Sequence, residues 1–131
     1  MSTRACIKVK QRVYLTDADM EKKKLTEREI VLYHHSDGYP SGVGSDLKKY
    51  IDEVVSKRQY GWHAEEIATE LVRGAIKDDD GESDMGYECA ICQHGDCQYG
   101  YEIDCDAKTL KCYELDWDEL EWKEENVVEI P

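Results

Sequence analysis

Between His35 and Gly44 the chain packs three glycines and a proline into ten residues, His-Ser-Asp-Gly-Tyr-Pro-Ser-Gly-Val-Gly. Neither a strand nor a helix tolerates that density, because proline removes a backbone donor and glycine weakens both ladders. The segment is a built turn system. Its two flanks have different apolar periods. Before it, Glu29-Ile30-Val31-Leu32-Tyr33-His34 is a short β-branched run and predicts a strand. After it, Leu47, Tyr50, Ile51 and Val54 fall at i, i+3, i+4 and i+7, one stripe of a helix. Ser45 stands where an N-cap belongs, and Asp46 suits the positive end of the helix dipole.

The same reading extends over the 131 residues, a length that fits a single domain spanning 1–131. Ala5, Ile7 and Val9 alternate with Arg4, Cys6 and Lys8, a half-buried strand that reaches toward Leu15. Thr16 to Lys24 lacks an apolar period and reads as an exposed connection. The first helix is expected over 45–58. A second follows over 62–77, with Ala64, Ile67, Ala68, Leu71 and Ala75 inward. An acidic linker, 78–85, has no core residues. Strands are then expected at Tyr87–Ile91 and Cys97–Asp104 around a His94-Gly95-Asp96 turn, and at Leu110–Leu115 after a four-residue loop from Asp106. Setting Cys105 opposite Leu110 places Ile103 against Cys112 and Asp104 against Lys111. The acidic segment 116–131 is a short helix or an extended arm. The order ββααβββ gives an α+β domain, an antiparallel sheet with two helices on one face.

Charge is unevenly spread. Residues 1–77 carry 14 Lys/Arg and 12 Asp/Glu, whereas residues 78–131 carry 3 Lys and 18 Asp/Glu. The second half therefore has a net charge of −15 within a chain of −13. It repels a phosphate backbone, so direct nucleic-acid binding is not expected, and it attracts a basic protein. No apolar run reaches about 18 residues, and Met1 to Cys6 has no apolar signal region, so neither a membrane span nor secretion is expected.

Six cysteines are present, and in a reducing compartment disulfides are not expected. Cys89, Cys92, His94 and Cys97 are the one set with zinc-like spacing. Four ligands within nine residues need a tight knuckle, and only one CxxC exists. The expectation is thus no cofactor, with buried or incidental thiols, and structural zinc as the alternative. His34-His35-x-Asp37 has the residue types of acid–base catalysis. Neighbouring histidines on a strand point in opposite directions, however, and no hydrolase or nucleotide-loop motif accompanies them, so no catalytic residue is assigned. The Gly-rich loop reads better as a ligand site. The amides of Gly42, Gly44 and Ser45 lead into a helix N-terminus that favours an anion. Tyr33, His35, Asp37, Gly38 and Tyr39 surround it, either tyrosine being able to stack on a base.

The string from Leu32 to Gly44, with Glu102-Ile103-Asp104-Cys105-Asp106 and Thr109-Leu110-Lys111-Cys112-Tyr113 further on, resembles small bacteriophage and prophage proteins that share a HHxDGYPxGVG loop. The likeness covers most of residues 3–113. Thr16–Lys24 and the acidic tail stand outside the shared pattern. The resemblance implies a phage origin and a host-cytoplasm setting, and it implies no reaction. Joined to the charge asymmetry, it leads to an expected function as an acidic nucleic-acid mimic. Such a protein inhibits a basic, nucleic-acid-binding host defence effector, such as a CRISPR nuclease, by occupying its groove. Asp78, Asp79, Asp80, Asp116, Asp118, Glu119 and Glu121, with Glu124-Glu125, stand in for phosphates, and Trp117 and Trp122 add desolvated contacts. The rival is sequestration of a nucleotide defence signal by loop 36–45. Substitutions in the acidic segment should disable the first function, and substitutions at Tyr39, Gly44 or Ser45 the second.

Overall fold

The computed structural model describes residues 2–116 and 121–131. Trp117, Asp118 and Glu119, three of the expected partner contacts, lie outside the described residues. The fold is α+β. Strands β1 (Ala5–Val13), β2 (Thr26–His34), β3 (Tyr87–Ala90), β4 (Tyr99–Asp104), β5 (Thr109–Glu114) and β6 (Val127–Val128) form one sheet in the order β3-β2-β1-β4-β5-β6.

The sheet is mixed. β1 pairs with β4 in parallel, Ile7 opposite Tyr101, while the remaining pairs are antiparallel. His94-Gly95-Asp96 accordingly does not close a hairpin between neighbours. Residues 91–98 instead carry the chain past β2 and β1, three strand spacings or about 14 Å. Eight residues reach about 26 Å when extended, so the same spacer length suits a loose hairpin or this crossover. In the β4–β5 hairpin Tyr101 faces Cys112, Ile103 faces Leu110 and Glu102 faces Lys111, which corrects the expected register by two residues. The Asp104 carboxylate accepts the amides of Asp106 and Ala107 at 3.0 and 3.1 Å, which moves the turn to 105–108 and leaves Lys108 at φ 58.

Three helices accompany the sheet: α1 (Asp17–Glu21), α2 (Ser45–Glu53) and α3 (Ala64–Val72). α1 lies where a plain connection was expected. Thr16 caps it by accepting the Asp19 amide at 3.1 Å, and it buries no residue, so no apolar period marks it. α2 stops sooner than 58. The β-branched pair Val54-Val55 ends it in a 3-10 turn over Val55–Lys57. α3 ends before 77 because Gly74, at φ 83, makes a left-handed cap. The amides of Gly74 and Ala75 return to the carbonyls of Leu71 and Glu70. Ala75 is therefore exposed, and Ile76 is buried in its place.

Both faces of the sheet bury side chains. On one, Ala5, Ile7, Val9, Leu32, Tyr101 and Ile103 meet Leu47 and Ile51 of α2 and Ile67 and Leu71 of α3. Each such large aliphatic side chain contributes about 1.5–3 kcal/mol by leaving water. On the other, Cys6, Tyr33, Cys97, Tyr113 and Leu115 form a smaller cluster, with Trp122 packed against it. The α2–α3 pair is also tied by polar contacts. The Tyr50 hydroxyl donates to Glu70 at 3.0 Å, and Arg58 bonds both Glu70 oxygens, at 2.5 and 2.8 Å. No helix among the described residues is long and apolar enough to cross a membrane.

Candidate functional site

The Gly-rich loop is where strand pattern gives way to helix pattern, and the structure spends its backbone groups internally. Pro40–Gly44 winds as one wide helical turn that runs directly into α2. Gly42 and Gly44 donate their amides to the Tyr39 carbonyl, Val43 donates to Asp37, and the Ser45 hydroxyl donates to Pro40 at 3.2 Å. The amides expected to cradle an anion are therefore engaged within the turn. Gly42 is required by close approach, since a Cβ there would stand 2.2 Å from the Asp37 carbonyl oxygen. Gly38 is held to the sheet. Its amide donates to Thr3 at 2.9 Å, and the buried Tyr101 hydroxyl donates to its carbonyl at 2.7 Å.

The two histidines part across the sheet, as strand alternation requires. His35 joins Tyr33 on the face away from the helices. There Arg4 Nε–H reaches His35 Nδ1 at 3.4 Å and Asp96 at 3.2 Å. The His94 ring lies on Tyr33 with centroids 4.2 Å apart. Tyr33 and His35 thus dock the 94–96 turn onto the sheet, while Tyr39 stays exposed. His34 is buried on the helix face. Its Nδ1 is 2.5 Å from the Ser36 carbonyl oxygen, and its Nε2 is 2.9 Å from Asp84 rather than Asp37. The ring is thus held between a backbone carbonyl on one side and a carboxylate on the other. Tyr87 packs edge-on to His34 at 4.5 Å, and its hydroxyl has no hydrogen-bond partner among the described residues.

The cysteine quartet does not converge. Cys89 pairs with Leu32 and is exposed beside α3, whereas Cys97 is buried on the opposite face with Cys6. Cys92 is exposed, and His94 is taken up by Tyr33. Among the described residues no group of three His, Cys, Asp or Glu side chains is placed to hold a metal. Burial pushes the thiols of Cys6, Cys97 and Cys105 up to about 12 and that of Cys112 to about 11, so these four remain protonated and unreactive at neutral pH.

The acidic residues separate by position in the sheet. Asp78–Asp84 precedes β3 at one edge, whereas residues 121–123 lie over β1 and β4 and residues 124–128 reach β5 near the other edge, so the described acids do not form one strip. Asp116 and Glu121 are exposed. Trp122 is engaged within the chain. It rests on Gly100 and Tyr113, its indole N–H donates to Gln93 at 3.0 Å, and the Lys8 ammonium lies 4.2 Å from its ring centre.

The first acidic segment lines a concavity with α2. A groove of about 430 Å³ between α2 and residues 75–79 carries Asp46 and Glu53 from the helix and Asp78 and Asp79 from the loop, against Lys49 and Lys77. Among the described residues none of these four carboxylates has a cation within ion-pair distance. Asp78 shapes the loop by accepting the amides of Asp80 and Glu82 at 3.0 and 2.9 Å. Asp46 titrates above the usual carboxylate range, through burial first and then through Asp84 nearby. Asp46 and Glu53 carried no partner signal in the sequence, because they lie 25 or more residues from the loop they face. Comparison with protein-family models, with curated proteins and with solved structures returned no match.

Proposed function

We propose that this chain is a phage-encoded inhibitor that binds a basic, nucleic-acid-binding host defence protein, with the α2–linker groove as its first point of contact. One observation carries the reading: four carboxylates, Asp46, Glu53, Asp78 and Asp79, outnumber the two lysines, Lys49 and Lys77, on one concave surface, and among the described residues none of the four has a cation within ion-pair distance. Lysine and arginine side chains are the groups such a surface recognises, since a concave wall of net negative charge focuses the field on a convex cationic partner. Exposed Asp80, Glu82, Asp116 and Glu121 add long-range attraction that speeds encounter more than it tightens the complex. The phage setting rests on the resemblance of the His34–Gly44 loop. The nucleotide-sequestering alternative loses support, because the loop amides it needs are occupied within the turn.

The test is capture of host proteins on the immobilised chain, followed by association kinetics with the captured protein. The variant Asp46→Asn/Glu53→Gln/Asp78→Asn/Asp79→Asn should associate about ten-fold more slowly at low salt. That difference should shrink as the Debye length falls from about 10 Å at 0.1 M to about 3 Å at 1 M. Equal rates for the variant and the original chain at low salt would remove the groove from the interface.

A further inference from the structure

The opposite flank of α2 borders a larger groove of about 760 Å³, closed on its far side by β5 and the C-terminal residues 127–130. Its apolar surface comes from Ile51, Trp62, Leu110, Val128 and Ile130, and the buried Cys112 lies beneath. Four cations stand around it. Arg58 is already bonded to Glu66 and Glu70, and Lys111 to Glu124. The other two, Lys48 and Lys108, have no ion-pair or hydrogen-bond partner among the described residues. Lys48 and Lys108 thus bring two cations without an ion pair to the rim of an apolar concavity.

Lys108 adds an independent observation. It occupies a left-handed backbone position, φ 58, in a tight hairpin loop, where glycine or asparagine is the low-energy choice. Lys23 and Asp37 share this backbone conformation, and of the three only Lys108 lies at the rim of the groove. The rim also holds two carboxylates, Asp52 and Glu129, which oppose a ligand of high negative charge. The volume falls within the roughly 300–1,000 Å³ of small-molecule sites.

We propose that this groove binds a small amphipathic monoanion, its apolar body against Trp62, Leu110 and Val128 and its single negative group between Lys48 and Lys108. The site is separate from the acidic groove, and its occupancy does not depend on the partner proposed above.

The probe is 8-anilinonaphthalene-1-sulfonate, a fluorescent monoanion, set beside N-phenyl-1-naphthylamine, which lacks the sulfonate. The expected result is saturable binding of one sulfonate probe per chain. Lys48→Gln/Lys108→Gln should weaken that probe about ten-fold and the neutral probe less than about two-fold, as loss of a charge-assisted contact requires. Ser56→Trp fills the groove from the exposed 3-10 turn without touching the core, and it should abolish both. Sulfonate binding that survives Ser56→Trp, or that is indifferent to both lysines, overturns the proposal, as does absence of saturable binding to the original chain.

Discussion

α2 contributes similar charges to both of its flanks, yet the two grooves beside it are opposite in character. Lys48 and Asp52 face one groove, and Lys49, Asp46 and Glu53 face the other. The far walls make the difference. Residues 75–79 bring Asp78 and Asp79 with one lysine, Lys77, whereas β5, the turn before it and residues 127–130 bring Leu110, Val128, Ile130, Lys108 and Lys111 with one carboxylate, Glu129. Binding character here is a property of which segments the topology places beside a helix, and not of the helix sequence itself.

If α2 is the shared wall, removing its anchor breaks both grooves together. Leu47 is fully buried, and Leu47→Ala should cost about 2–5 kcal/mol in urea unfolding. Binding of the sulfonate probe and of the basic partner should fall in parallel in this variant. Loss of one without the other would show that the two flanks are held independently.

Lys108→Gly sharpens the contrast, because it should move stability and binding in opposite directions. Relief of the left-handed strain should stabilise the fold by about 1 kcal/mol, seen as a raised urea midpoint. The sulfonate probe should bind more weakly, while association at the acidic groove is unchanged. Destabilisation by this substitution would remove the argument from backbone strain.

The smallest effect concerns the tie between α2 and α3. The hydrogen bonds from Arg58 hold the Glu70 carboxyl below its ordinary 4.5, against the opposing effect of burial and with help from Tyr50. A carboxyl whose folded value lies below its unfolded value stabilises above the unfolded value, and it loses that contribution as pH falls through the folded one. Stability should therefore decline below about pH 4.5, and Glu70→Gln should flatten part of that decline. Arg58 is 40% exposed, so solvent screening keeps the change modest. An acid limb left identical by Glu70→Gln would mean that the tie contributes nothing measurable.

Local pattern made much of the fold legible. The alternation of Ala5, Ile7 and Val9 and the stripe of Leu47, Tyr50 and Ile51 read correctly, because each reflects one buried face. α1 buries nothing and so left no period to read. The parallel β1–β4 pair was hidden because a spacer of eight residues does not reveal how many strands it crosses. The hairpin register turned on Asp104, whose carboxylate caps the turn instead of pairing with Lys111. For the candidate site, Asp78 and Asp79 were legible as exposed acids. Their companions Asp46 and Glu53, and the lysines across α2, were not, since only tertiary packing brings them to a common wall. The Gly-rich loop misled for a related reason. Its glycines serve close packing against Asp37 and the start of β1, and that requirement leaves the same composition as an anion cradle.

The central claim, that α2 separates two grooves selecting ligands of opposite charge, is tested most directly by backbone amide NMR titration of the same sample with two probes. Deca-lysine should perturb Asp46, Glu53, Asp78 and Asp79, and 8-anilinonaphthalene-1-sulfonate should perturb Lys48, Lys108 and Val128, with little overlap between the two sets. Shifts from both probes on the same residues, or deca-lysine shifts confined to 114–116 and 121–125, would contradict it.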